Sequence, residues 1–428
     1  KNSHDADALL VRAGISAVAK DADSAIADLR VILRNSPENL AALRLLARAH
    51  AMKGELELAA ESLEKVIAIS PKDVSAFIEL AQMQAKKGDM NSAIASLETA
   101  LKTDTDNFDA LKALATLYIQ QKDLAVAMNY AKQLQKVKPD SHVGYYGQGV
   151  IEQAEKKFKA SIKSFDEALK HSPDSLETLT AIAKSLVANK QAAQAQVRVE
   201  NALKHQPENA VLYNLLSSVL LVQKKVDAAE DALSKAIELA PSVPSFYRNL
   251  ATVYFSRGNS DAAIQTYKQG LKQTKDNPAL WLLLAQTYQR LGNADEAIIQ
   301  YEALLQKYPD SDVVANNLAM LLVTDKATKP ALDKALELAK RFEHSENALF
   351  LDTLGWIHLQ RGDFDMARTI LERAVERTPV PPVINYHLGI AYFKNGQKPE
   401  AKTQLSQAVE AGKKAPWVNE AQKILQQL

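Results

Sequence analysis

The chain has 428 residues, and its 52 Lys and Arg against 51 Asp and Glu leave a formal net charge of +1. No global field therefore draws it to nucleic acid or anionic lipid. It is 47% hydrophobic with only 14 Gly and no Cys, a composition that suits an all-helical protein and excludes disulfides, thiolate metal sites and cysteine nucleophiles. No stretch approaches the roughly 18 consecutive apolar residues of a membrane span. The sequence opens at Lys1 without Met, so an upstream segment is expected: a signal peptide, a lipid-anchor region, or simply residues lost in a shortened product.

Residues 1–5 are polar and expected to fray. From residue 6 a 34-residue period sets in, marked by Pro37, Pro71, Pro139, Pro173, Pro207, Pro241 and Pro309; only Thr105 and Lys275 interrupt the ladder. Twelve residues before each of these positions stands a small residue (Ala25, Ala59, Ala93, Ala127, Ser161, Ala195, Ala229, Ala263, Ala297). Another stands twenty-four before (Ala13, Ala47, Ala81, Ala115, Gly149, Ala183, Ser217, Ala251, Ala285). A fixed period of this size means stacked supersecondary units. One period reads as a helical hairpin: Leu280–Tyr288 repeats apolar residues at helical spacing, Gly292-Asn293 breaks the run, and a second amphipathic stretch ends at Tyr308-Pro309. Proline suits that end because it cannot continue the helix. Nine regular repeats span residues 6–311. Asp23-Ser24, Asp89 to Ser92 and Asn259 to Asp261 offer N-caps for second helices.

This pattern resembles the tetratricopeptide repeat family over nearly the whole chain. The resemblance implies an all-α, right-handed solenoid of helical hairpins, with the first helix of each hairpin lining a concave face.

The inner turn varies along the chain. Gly54, Gly88, Gly258 and Gly292 fill it in some repeats, whereas four central repeats carry Lys122, Lys156, Lys190 and Lys224, reinforced by Lys157 and Lys225. If the slot needs a positive φ, each Lys costs about 1 kcal/mol relative to Gly. These lysines are either solvated turns or an edge that docks an anionic polymer or acidic partner. In the fifth repeat Gly144 and Gly147 weaken the first helix by roughly 1 kcal/mol each, which predicts a bend or mobile joint; Gly149 fills the small-residue slot. After Ala297 the period slips, with extra residues in Thr324–Lys329 before Pro330, so 312–347 is an irregular repeat. Gly355, Gly362, Ala367, Ala374 and Pro379, then Gly389, Gly396, Ala401 and Ala408, restore the frame over 348–415. Residues 416–428 read as an amphipathic capping helix.

Catalytic chemistry finds no foothold. The eight histidines form no helical two-His metal motif, and neither a nucleophile elbow nor a phosphate loop occurs. His50 and His358 fall in the slot of Tyr118, Tyr254, Tyr288 and Tyr392, where packing accounts for them. A non-enzymatic binding scaffold without metal or cofactor is the reading.

The family resemblance selects the residues that face the concave side. Early and central repeats offer Arg44, Arg48, Lys112, Gln153, Lys184, Asn214 and Ser218. The last repeats offer Asn316, Met320, Leu349, Asp352, Trp356, Leu359, Tyr386, Ile390 and Phe393. Large apolar side chains there predict a groove for a protein or peptide segment, unless the chain's own last helix or longer turn covers them. The two-Lys, two-Asn, one-Arg carboxylate clamp of some family members is not recognisable, and neither is a continuous Asn ladder. Ala315-Asn316-Asn317-Leu318-Ala319, Leu351-Asp352-Thr353-Leu354-Gly355-Trp356, Tyr386-His387-Leu388-Gly389-Ile390-Ala391 and the closing Pro416 helix resemble bacterial exosortase-linked (PEP-CTERM system) lipoproteins of the family. That likeness implies an extracytoplasmic scaffold in protein export or exopolysaccharide biosynthesis, tethered by a lipid upstream of Lys1, with an anionic polysaccharide as a candidate ligand. A cytoplasmic adaptor or co-chaperone is the alternative.

Overall fold

A computed structural model of the chain describes residues 6–377 and 380–428. The polar start at 1–5 and Pro379 lie outside the described residues. Among the described residues there are 25 α-helices and no strand. Contacts group them into two compact units, Lys1–Ala229 and Glu230–Leu428.

In the first unit, α1 (Ala6–Val18) pairs with α2 (Ala22–Asn35), α3 (Leu40–Met52) with α4 (Leu56–Ile69), and α5 (Val74–Lys87) with α6 (Met90–Thr103). Then come α7 (Phe108–Gln120) with α8 (Leu124–Val137), α9 (His142–Ala154) with α10 (Phe158–His171), and α11 (Leu176–Ala188) with α12 (Ala192–His205). Next follows α13 (Ala210–Val222), and the division falls within α14 (Val226–Leu239). The second unit continues with α15 (Pro244–Ser256) and α16 (Ser260–Gln273), then α17 (Pro278–Arg290) and α18 (Ala294–Lys307). After these come α19 (Asp312–Leu321) and α20 (Lys329–Ala339), α21 (Ala348–Arg361) and α22 (Phe364–Val375), α23 (Pro382–Lys394) and α24 (Lys398–Ala411), and last α25 (Val418–Leu425).

Local chemistry starts these helices. The carboxylates of Asp21, Asp73, Asp89 and Asp123 and the side-chain oxygens of Asn39 and Asn107 accept from backbone N–H groups two or three residues into the first turn, satisfying donors the helix cannot. Asp89 and Asn259 cap where expected, but α2 is capped by Asp21 rather than by Asp23-Ser24. The small slots hold the hairpins together: Ala13, Ala47, Ala81 and Ala115 on first helices, and Ala25, Ala59, Ala93 and Ala127 on second ones, are at most 4% exposed. Neighbouring helices close over them, as side chains of this size permit.

The fifth repeat departs from the expected joint. α9 runs unbroken from His142 to Ala154. A Cβ at Gly144 would lie 2.7 Å from Gln135 Cγ and 2.8 Å from its backbone nitrogen, so Gly144 lets α8 and α9 touch. Gly147 has only Ala131 Cβ at 3.8 Å and carries no such demand. Beside it, polar groups replace the usual apolar seam. Gln153 Nε2 donates to Ser185 Oγ (2.7 Å) and to the Ala181 carbonyl (3.1 Å), and Ser185 pairs with Ser161 at 2.8 Å, both serines being fully buried.

The period slip has a defined shape. α19 gives way to a π turn at Leu322–Lys326, Ala327 takes φ +47°, and Thr328 caps α20, with Pro330 at its second rather than first position. The ladder's gap at Lys275 is explained too: Lys275 and Asp276 both have positive φ (54° and 58°), a conformation closed to proline.

Candidate interaction surfaces

The apolar cluster expected as an open groove in the last repeats is largely interior. Asp352, Leu359, Tyr386 and Ile390 are between 3% and 6% exposed, so these four are corrected from groove lining to core. The cause is the neighbouring first helix for Asp352 and the chain's own closing segment for Tyr386. Tyr386 on α23 stacks on Trp417, at the start of α25, with ring centroids 4.9 Å apart. Burial, and then the Glu420 carboxylate, push its phenol pKa above the ordinary tyrosine value. Trp356 on α21 is half-buried and stacks on His387 at 4.0 Å. Beneath it, His387 Nδ1 meets Asp352 Oδ1 at 2.7 Å, with both side chains almost sealed from water. Asn316, Met320 and Phe393 are half-buried and Leu349 is exposed.

An open groove lies instead in the first unit. Between α5 and α7 a cavity of about 580 Å³ has Ile78, Ala85, Met90 and Leu117 as its apolar floor, with Lys86, Asp109 and Lys112 at the rim. A second, of about 440 Å³, runs between α3 and α5 past Ala47, Met52 and Met83, with Arg48 and Glu79 at its edge. Gln82 and Lys86 line both, so the two form one trough across three first helices. Arg48 and Lys112, chosen as inward-facing from the sequence, stand on this trough. Arg44 does not: its guanidinium is held by Asp73, Glu79 and Ser75. Glu79 is thereby spent on Arg44 and on Arg48, 3.6 Å away. Lys86 and Lys112 have no ion-pair partner among the described residues and are exposed.

All four edge lysines adopt the left-handed turn: φ is 64° at Lys122, 61° at Lys156, 62° at Lys190 and 60° at Lys224. Each is exposed and without an ion pair among the described residues. Lys20, at φ 62°, occupies the same slot one repeat before Gly54 and was legible from the register alone. The expected reinforcement is weaker, because Lys157 pairs with Glu155 at 3.0 Å and Lys225 donates to Gln196 at 2.9 Å.

Comparison with known proteins settles the family. The model for the tetratricopeptide repeat domain of cytochrome c-type biogenesis protein H matches residues 17–145 and 197–315, more than half of the chain. A general tetratricopeptide repeat model matches 153–219 and 358–428. The chain belongs to the tetratricopeptide repeat family. No curated protein matches it. Similar solved structures include a tetratricopeptide repeat protein from Parabacteroides merdae, 20% identical, covering 58% of this chain and 98% of its own, with a TM-score of 0.46. Yeast Tom70 is 14% identical over 96% of this chain and 98% of its own, also with a TM-score of 0.46.

A tetratricopeptide repeat chain is a protein-interaction scaffold, and the histidines fit that role. His50 and His358, in the tyrosine slot, face Glu55 at 2.6 Å and Asp363 at 3.2 Å. Tyr118, Tyr254 and Tyr392 reach Glu98, Glu230 and Glu372 from the same slot. Sequence reading caught the slot's packing but not that it repeatedly presents its polar atom to an acid.

Proposed function

We propose that this chain is a non-catalytic scaffold in bacterial envelope export or exopolysaccharide biosynthesis, and that its α3–α5–α7 trough holds an amphipathic, acidic segment of a partner protein. The observation that carries the binding role is the trough itself: an apolar floor shared by three first helices, with Arg48, Lys86 and Lys112 along its rim. Apolar side chains of a bound segment would fill the floor, and its carboxylates would meet the rim cations. The envelope setting, and a lipid tether upstream of Lys1, are supported by the sequence likeness of the last third to exosortase-linked lipoproteins. The family model named for a cytochrome c-type biogenesis protein sits beside that reading.

A photo-crosslinker placed at Gln82, in cells of the native host, should capture a protein of the envelope fraction, whereas one at exposed Glu64 on the far face of α4 should not. Lys86→Glu with Lys112→Glu should abolish the Gln82 adduct. Equal capture from both positions would refute the trough, and a cytoplasmic partner would favour the adaptor alternative.

A second reading concerns the edge of Lys122, Lys156, Lys190 and Lys224, favoured by four exposed cations with no ion pair among the described residues. It would dock an anionic polysaccharide. Binding to an immobilised polyuronate should fall steeply with salt, since screening acts beyond about 8 Å at physiological ionic strength, and should vanish when all four become Gln. Unchanged binding in that variant returns the lysines to solvated turns.

A further inference from the structure

Of the chain's 6 methionines, Met52, Met83 and Met90 line the trough of α3, α5 and α7. The register shows that packing does not call for them. In the following repeats the Met83 slot holds Leu117, Ile151, Ser185 and Val219, all at most 7% exposed, whereas Met83 itself is half-buried. Leu56 and Leu124 fill the Met90 slot one period to either side. Met52 is 44% exposed and lies between two hollows, the trough and a further one of about 380 Å³ that it shares with Lys20 and Lys53. Smaller or branched side chains serve the Met83 and Met90 slots elsewhere, and the unbranched one recurs where they open on the trough.

What methionine adds is freedom. Its side chain is unbranched, turns about three bonds and ends in a polarisable thioether, so it refits to apolar shapes that a stiffer residue would reject. That freedom has room here. Met52 and Met83 share their cavity with Ala47 and Ala51, and Met90 shares its own with Ala81, Ala85 and Ala113. The rim, by contrast, is fixed in sign: Lys86 and Lys112 are exposed, with no ion-pair partner among the described residues.

On the reading of the trough as the seat of an acidic, amphipathic segment, we infer that this seat selects for charge and is indifferent to apolar shape. It accepts a set of partner segments that share their acidic positions and differ in the apolar side chains they bring. A rigid apolar pocket separates side chains that differ by one methylene about 10–200-fold. A methionine floor gives up that discrimination, and a surface that repacks serves several partners in turn.

Synthetic acidic peptides test this, identical in their glutamates and carrying Leu, Ile, Phe or Trp at the apolar positions. The wild-type protein should bind all of them within about threefold of one another. With Met52→Ile, Met83→Ile and Met90→Ile together, side chains of similar volume but stiff at the first torsion, the affinities should spread beyond roughly 10-fold. Met52→Leu, Met83→Leu and Met90→Leu repeat the comparison should the isoleucine variant fold poorly. A wild-type spread beyond about 10-fold, or the same narrow spread in the variants, overturns the inference and leaves the trough reading standing. If no peptide binds, or if binding survives Lys86→Glu with Lys112→Glu, the trough reading falls and this inference falls with it.

Discussion

His387 and Asp352 stand 35 residues apart in the sequence and close on one another in the interior of the second unit, with Trp356 stacked over the imidazole. Removing one partner leaves the other polar group buried and unpaired, which typically costs about 2–4 kcal/mol. His387→Ala and Asp352→Ala should each lose that much in urea unfolding, whereas replacing both with apolar residues of similar size should lose markedly less. Equal losses in single and double variants would show that the pair is not coupled. Trp356→Ala should also cost about 2–4 kcal/mol without any partner present, because the ring packs on His387; a negligible loss would return Trp356 to an open surface. Glu55 gives a pH dependence of definite sign. His50 and then Lys53 hold its carboxylate below the ordinary 4.5. The stabilisation is therefore complete above about pH 4.5 and drains away as pH falls through the lower folded value. Glu55→Gln should flatten that acid limb of the melting curve; an unchanged limb would place the titrating groups elsewhere.

At the scale of the element, the glycines of α9 separate into two kinds. Gly147→Ala would meet only Ala131 Cβ, at ordinary contact distance, and should raise stability by about 0.5–1 kcal/mol through helix propensity. Gly144→Ala must push into Gln135 and should lower it by about 1–3 kcal/mol. Thermal melts of the two variants should move in opposite directions, and a shared direction would contradict the close contact of α8 with α9. The left-handed lysine turns permit a parallel test: Lys190→Gly should leave stability unchanged or raise it by up to about 1 kcal/mol. The sequence showed that the slot alternates between Gly and Lys, and this was enough to suspect positive φ. It did not show why Lys275 replaces proline, because two consecutive left-handed residues leave no compositional mark.

Across the whole molecule, what could be read from sequence follows from what repeats. Pro37 and its successors, with the paired alanine slots, specify helices, turns and neighbours every 34 residues, so the hairpins were legible with no structure in hand. Exposure of a given inward-facing residue was not, because the same slot is open or shut according to the next first helix. Arg48 and Lys112 reach water beside small or flexible neighbours, while Tyr386 disappears against Trp417. The trough of α3, α5 and α7 was hidden for the same reason. It is made by side chains that are absent, Ala47, Ala51, Ala81, Ala85 and Ala113 among them, and a register of alanines reads as packing until the neighbours are placed.

The buried hydroxyls between α9 and α11 carry a consequence for descent. Arrays of this kind lengthen and shorten by copying or losing whole periods, which is harmless where alanine meets alanine. Ser161, Ser185 and Gln153 make the fifth and sixth hairpins into a matched lock and key. Deleting residues 176–209 would bring Val219 to the place of Ser185 and take one hydrogen-bond partner each from Ser161 and Gln153, leaving Ser161 its bond to the Phe158 carbonyl, at about 0.5–1.5 kcal/mol each. That boundary should thus resist the reshuffling that the rest of the unit tolerates, and the two hairpins should be inherited as a pair.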